Sequence, residues 1–532
     1  MRSVLQILAI FVPLSCQAIS SEQIFQSKRA VRQIDAQRVK AYVMEYCADK
    51  VQPGVSSNGD ESLYSDLRGT FGKSLNHQAN GYIDVTSFNS LKYALLDGSP
   101  TTFDQIQIGT GTLKLANPQG SLCYSLAGND GWFHTMPAAP AFASAETAGE
   151  MVELYWTVLC RDVPFNEFDS NAIVADAVAD LNTLSNFKGP KVGGVVTTGT
   201  FLRGNTSGDL VGPYVSQFLY QNIPFGSTTI PPEQTVPTPG TTNDFLTTFA
   251  DWYTVVNGGA TGDSITYEGT QRFISTPRDL GEYVHSDFPG QPFLSALLII
   301  NSYGSDAVDP ANPYLNNANQ GGFVSFGIGQ YVELLNEAVE EGLKAAWFHK
   351  WQVNRRLRPE EFGFYVQRQI VEGDSLGINA ELIDSNALTQ IFSNFSSYFL
   401  PQAYPEGCPT HPSYPAGHAV ISGACATLLK ALFNEDFEIP SPLQPNATNT
   451  ALEAYGGTLR LGDELNKLAA NISLGRDHAG VHYRSDGIEG ILLGEKIAID
   501  ILNNCAFLNN ENFEGYTLTK FDGTTIKVGT AQ

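Results

Sequence analysis

Apolar residues recur at helical spacing in five stretches of this chain. In residues 145–160 (AETAGEMVELYWTVLC) the stripe is Met151, Val152, Leu154, Tyr155, Val158 and Leu159. In residues 329–356 it is Val332, Leu335, Val339, Leu343 and Trp347, and residues 419–433, 452–474 and 488–502 complete the set. Residues 188–276 break the pattern. They are rich in Gly, Thr and Pro, as in PPEQTVPTPGTTND, and predict loops with at most short strands lying over a helical body. No fixed-period repeat or long low-complexity linker interrupts the chain. The expectation is a mainly α fold of helical bundles with long Gly/Pro-rich surface loops, in one large domain over residues 19–532.

Composition narrows the partners. With 532 residues, 42% of them hydrophobic, the chain can bury a large core. Its 55 acidic and 31 basic residues give a net charge of −24. Such a surface repels phosphate backbones and anionic headgroups, so neither nucleic acid nor membrane is an expected partner. Residues 1–18 read as a secretory signal: Arg2, an apolar run over 4–14, and Cys16-Gln17-Ala18 as a small-residue cleavage site. That run is too short to span a bilayer. An extracellular location, in the cell wall or apoplast, is expected. Beyond it stand six cysteines, Cys47, Cys123, Cys160, Cys408, Cys425 and Cys505, whose wide spacing permits disulfides without specifying a pairing. Four Asn-x-Ser/Thr sites begin at Asn205, Asn394, Asn446 and Asn471, open to glycosylation only where exposed.

Three short segments carry chemistry. The first runs from Lys350 to Glu360 and ends a predicted helix at Pro359. On one helix Lys350 and Arg358 would stand about 80° apart, close enough to flank one cavity. Alone, the pair reads better as a basic helix end complementing its own dipole, or as a member of surface salt bridges. The second is HPSYPAGHA, His411 to Ala419, whose prolines stiffen a loop and whose Gly417 lets backbone approach a ligand. His418 follows in the first turn of the next helix, where free amides favour an anion. The third is GRDHAGVHYRSD, from Gly475, with Arg476 expected just after a helix and Ser485 or Asp486 capping the next. His482 and Asp486 are four apart, so the carboxylate can orient the ring. His478 reads as exposed and incidental. Five of the eight histidines fall between His349 and His482, a clustering not expected of core packing. Lys350, Arg358 and Arg476, with the Gly417 amide, His418 and His482, form a set suited to a tetrahedral oxyanion, phosphate or vanadate.

In order, K-x7-R-P, P-x-G-H and G-R-x5-H-x3-D resemble the signature shared by vanadium haloperoxidases and the related acid and lipid phosphatases. Residues 135–165 and 211–226 and the stretch HKWQVNRRLRPEEFG are similar to vanadium bromoperoxidases of marine brown algae. The resemblance implies two four-helix bundles, one vanadate ion per subunit and homodimers. It implies His482 as the ligand to the metal, and Lys350, Arg358, Arg476 and the Gly417 amide around the vanadate oxygens. His418 becomes the acid–base residue, Trp347 and His411 the halide side of the cavity, and Asp486 the partner of His482. The implied reaction is oxidation of bromide or iodide by hydrogen peroxide to a hypohalous acid equivalent that halogenates organic acceptors. Lys350 draws charge from the activated oxygen, and no redox change occurs at the metal. One position departs from the family: Ala416 stands where a serine is usual. A secreted acid phosphatase, with His482 as nucleophile, and a non-catalytic oxyanion-binding protein are the alternatives.

Overall fold

A computed structural model describes residues 21–48 and 53–529. The expected signal segment lies outside the described residues, as does the side chain of Cys47. The chain divides into two units, Met1–Lys50 and Val51–Gln532. The first contributes the helix Ser21–Ala48, and everything below concerns the second.

Eight helices carry the argument: α1 (Ala145–Cys160), α2 (Pro277–Ser286), α3 (Gln291–Ser302), α4 (Ile328–Trp347), α5 (Pro359–Gln367), α6 (Gly417–Leu432), α7 (Leu461–His478) and α8 (Arg484–Leu508). The segment GHAVISGACATLLKAL of α6 is apolar almost all round, as a helix buried on every side must be, and from Ala419 to Leu432 every residue is buried. It packs against α4, α7 and α8, which with it form a bundle, while α2 packs against α7. Small residues bring α6 and α8 together. A Cβ on Gly423 would stand 2.1 Å from the Ile491 carbonyl oxygen, and one on Gly494 2.1 Å from that of Val420. Strand structure is limited, among the described residues, to three antiparallel hairpins, β1–β2 (Ile223–Phe225, Thr228–Ile230), β3–β4 (Leu443–Pro445, Leu452–Ala454) and β5–β6 (Tyr516–Thr519, Thr525–Val528). The fold is mainly α.

The stripe over residues 145–160 forms α1 without revision. Three other expectations need correction. Residues 452–474 are not one helix: Leu452–Ala454 pairs with Leu443–Pro445, and α7 begins at Leu461, because Gly456-Gly457 is a poor helix interior. The helix expected over 329–356 ends at Trp347 and gives way to a π-helical turn, Phe348–Asn354. Arg355 then takes φ 40° and Arg358 is extended before Pro359, so Lys350 and Arg358 do not share a helix. Arg476 lies within the last turn of α7, not after it. The Gly/Thr/Pro-rich region is mostly loop, but it also holds β1–β2 and a helix, Phe249–Val256.

Cys123 is exposed and Cys160, Cys408, Cys425 and Cys505 are buried, all five as free thiols. Asn205 and Asn394 are exposed. Asn471, 1% exposed, accepts from the Ser216 amide at 2.8 Å and donates to the Tyr214 carbonyl at 3.1 Å, so the fold leaves no room for a glycan there.

Candidate active site

The three segments meet where α6 begins and α7 ends. Gly480, at φ 82°, turns the chain after α7, a conformation that favours glycine, and delivers His482 to the base of a cavity of about 350 Å³. Its wall includes Trp347, His411, Gly417, His418, Arg476 and His482.

His482 is held rigidly. Its Nδ1 lies 2.8 Å from Asp486 Oδ2, which sets Nδ1 as the protonated nitrogen and leaves Nε2 as the one that carries the lone pair. Ser413 also donates to Asp486. Asp486 in turn is bound by Arg356 Nη1 at 2.8 Å, whose Nη2 reaches Glu150 at 2.7 Å. Glu150, on α1, thus secures the histidine through two ion pairs, with the Arg356 guanidinium 3.8 Å above the Tyr483 ring. Arg356 sits between the two cations singled out by sequence, and its partners lie 206 and 130 residues away, so no local pattern marked it.

Arg358 Nη1 donates to Nε2 of His482 at 3.0 Å and Nη2 to Nδ1 of His411 at 2.9 Å. Its remaining bonds go to the carbonyls of His411 and Val481. Lys350 is fully buried, with Nζ bound to the carbonyls of Pro412 and Ser413 at 2.7 and 2.8 Å. Arg476 donates to the Val284 carbonyl at 2.7 Å, while its buried Nε has no hydrogen-bond partner among the described residues. Among the described residues none of these three cations pairs with a carboxylate. Burial, reinforced by neighbouring Arg358 and Arg476, pushes Lys350 well below the ordinary lysine range. Burial also drives His482 far below the usual histidine value, aided by Arg358 and Lys350, and His411 likewise, aided by Lys350 and Arg358.

α6 starts beside them with no side-chain cap on its N-terminus. A Cβ on Gly417 would point at Trp347 and Leu343, 3.5 and 3.8 Å away, so glycine keeps that part of the cavity open. Uncompensated buried cations are costly, and an uncapped helix N-terminus attracts anions. Together with the orphaned Arg476 Nε they fit a buried tetrahedral oxyanion such as vanadate.

Trp347 and His411 stand together on one side, ring centroids 4.8 Å apart. His418, at the mouth, donates from Nε2 to Asp287 Oδ1 at 2.8 Å. Asp287 was not expected from the sequence, nor was His285, which lines the same cavity, stacks on Tyr404 at 3.8 Å and bonds Glu406 at 2.7 Å. Burial opposes its charge, but Glu282 and Glu406 outweigh that and push it up to about 9. Its position at the end of amphipathic α2 was the available signal. Two histidines of the sequence cluster are core residues. His349 bonds the His134 carbonyl at 2.9 Å. His478, expected to be exposed, is fully buried with Nε2 3.3 Å from the Tyr214 hydroxyl.

Known proteins share this architecture. Residues 330–510 match the family model described as the VCPO second helical-bundle domain. The vanadium-dependent bromoperoxidase of Ascophyllum nodosum is 33% identical over 493 residues, 87% of each chain. That of Corallina pilulifera is 33% identical over 567 residues, 89% of this chain and 94% of its own. In three dimensions the homohexameric second vanadate-dependent bromoperoxidase of Ascophyllum nodosum superposes with a TM-score of 0.88 at 26% identity, covering 99% of this chain and 94% of that one.

Proposed function

This chain belongs to the vanadium-dependent bromoperoxidases, and on that premise we propose that it is an extracellular enzyme that oxidises iodide as well as bromide with hydrogen peroxide and halogenates organic acceptors. Vanadate is its cofactor. The observation that carries the reading is the buried trio Lys350, Arg358 and Arg476, which among the described residues have carbonyl and imidazole partners and no carboxylate. When bound, vanadate supplies a Lewis-acidic centre at which peroxide oxygen becomes electrophilic towards halide.

The chain's own groups divide the remaining work. Arg358, Arg476, Lys350 and the Gly417 amide hold the oxyanion's charge in a site screened from water, where such contacts are strongest. His482 offers Nε2 to the metal because Asp486 occupies Nδ1. His418, steadied by Asp287, takes the peroxide proton and returns one to the departing oxygen. Lys350, fixed by two carbonyls, polarises the oxygen under attack. Trp347 and His411 line the side from which halide approaches. Export is supported by the leader pattern of residues 1–18, and we propose a homodimer. The relative described above is homohexameric, so sedimentation should resolve two subunits from six.

The test is reconstitution. Metal-free protein should oxidise bromide and iodide only after vanadate is added, and phosphate should compete. His482→Ala should weaken vanadate binding on the order of 100-fold or more, beyond the loss of an outer-shell partner, and abolish turnover. His411→Ala should keep vanadate and alter bromide kinetics. Stoichiometric vanadate surviving gel filtration of His482→Ala would refute the ligand assignment. Turnover of a phosphate ester without halide oxidation would refute the activity.

A further inference from the structure

A second cavity, of about 460 Å³, lies beside the catalytic one, within the ~300–1,000 Å³ range of small-molecule sites. The end of α2 and the residue after it separate the two. Val284 and His285 line the catalytic cavity, whereas Glu282, Tyr283, Ser286 and Asp287 line the second. Two carboxylates cross this wall. Asp287 lines the second cavity and bonds His418 of the first at 2.8 Å. Glu282 lines the second cavity and stands 3.5 Å from His285 Nδ1 of the first.

The second cavity is furnished for an uncharged aromatic molecule. Phe218, Tyr267, Tyr283, Ile223, Ile230 and Ile274 give it rings and aliphatic surface. Two polar atoms in its lining have unused capacity. Glu282, 5% exposed, accepts at Oε1 from Tyr267 and Ser286, at 3.1 and 3.0 Å, while its buried Oε2 faces His285 Nδ1 at 3.5 Å in an ion pair and accepts no hydrogen bond among the described residues. Gln221 Oε1 is engaged by the Tyr303 hydroxyl at 2.6 Å, and its buried Nε2 has no hydrogen-bond partner among the described residues. A buried donor left unmade is costly, and Oε2 keeps a lone pair beyond its ion pair, so a hydroxyl that accepts from the one and donates to the other is favoured. Glu233 and Asp287 in the same lining disfavour an anion.

We propose that this second cavity binds a neutral phenol as the organic acceptor, its hydroxyl donating to Glu282 Oε2 and accepting from Gln221 Nε2, one side-chain pair away from the chamber where halide is oxidised. The proposal rests on the halide-oxidising reading. Hypohalous acid is the oxidant. The ring's electron pair attacks halogen, the carbon–halogen bond forms as the halogen–oxygen bond breaks, and the ring proton joins the released hydroxide as water. The hydrogen bond to Glu282 raises electron density in the ring and so favours attack.

Vanadate-loaded full-length protein, given bromide, limiting peroxide and equimolar 4-methylphenol and 4-hydroxybenzoate, provides the experiment. The product ratio is compared with that from reagent hypobromite at the same pH, which makes it independent of overall turnover. Enrichment of brominated 4-methylphenol by about fivefold is expected, roughly the worth of one hydrogen bond. Ile230→Trp, which narrows the rim from a half-exposed hairpin, and Gln221→Leu, which removes the donor, should both return the ratio to that of the reagent. Equilibrium dialysis of 4-methylphenol with resting protein should show one saturable site weakened by the same two variants. A wild-type ratio equal to that of reagent hypobromite, or dialysis insensitive to both variants, overturns the proposal. Variant-sensitive binding in a protein that oxidises no halide supports the cavity and refutes the activity instead.

Discussion

Ala416 is fully buried and is the N-cap of α6, its amide donating to the Asp486 carbonyl at 2.9 Å. Lacking a hydroxyl, it can neither accept from the first free amides of the helix nor donate to an oxyanion beside Gly417. A serine can do both at once, since one oxygen carries a donor and two lone pairs. Ala416→Ser should therefore stabilise vanadate-free protein through capping by about 1 kcal/mol, seen as a higher melting temperature. It should also slow vanadate release by about fivefold. Bromide turnover should rise more than iodide turnover, because iodide is the easier halide to oxidise and needs less polarisation. Calorimetry of the metal-free pair separates the two effects. A gain in stability with unchanged vanadate release would show that the hydroxyl points into the helix alone, and equal or lower bromide activity would show that the loop has adjusted to alanine.

The α6–α8 crossing sets where that N-terminus stands, and its closest points are glycines. A Cβ on Gly494 would fall 2.1 Å from the Val420 carbonyl oxygen and 2.5 Å from the Ala424 amide nitrogen, both backbone atoms. They cannot yield as a flexible side chain would. Gly494→Ala should cost ~1–3 kcal/mol, the usual scale of overpacking, and lower halide turnover as well, since α6 carries Gly417 and His418. Melting and steady-state rates check it; unchanged values of both would mean the helices separate freely. Periodicity located α1, α4, α6 and α8 because each buries a continuous apolar face. It misplaced the start of α7 because apolar residues of a hairpin and of a helix were adjacent in sequence with only Gly456-Gly457 between them. The π-helical turn after Trp347 was invisible for a different reason. Its purpose is tertiary, bringing Lys350 to the carbonyls of Pro412 and Ser413, and no spacing rule encodes that. Motif residues at loop–helix junctions were legible; Asp287, Glu150 and Arg356 were not, because their partners lie more than a hundred residues away.

Elsewhere among the described residues several buried cations sit against carboxylates: Arg484 against Glu153, Arg278 against Asp162 and Asp244, Lys467 against Glu464, Lys73 against Glu360. Against that background the oxyanion site is a local excess of positive charge, and filling it should stabilise the entire fold. Vanadate or phosphate added to metal-free protein should stabilise it by about 2.7 kcal/mol at a hundred times the dissociation constant, so the melting temperature should rise with concentration. The effect should persist in moderate salt because buried charges are little screened. Scanning calorimetry over an oxyanion titration reads it, and the absence of any shift with either anion would mean that the cations are already balanced.

Asn471 turns the packed fold into a matter of timing. Its Asn-Ile-Ser acceptor is reachable only while the chain is still being made; once α7 docks against Tyr214 and Ser216 it is sealed. In a cell that attaches glycans to nascent chains, modification there competes with docking, and a modified chain cannot close. Folded protein from such a host should carry sugar at Asn205 or Asn394 and none at Asn471. Ser473→Ala, which erases the acceptor while leaving the bonds of Asn471 in place, should raise the yield of folded protein from a glycosylating host and leave the yield from a non-glycosylating one unchanged. Equal yields in both hosts would mean that α7 docks before the transferase arrives.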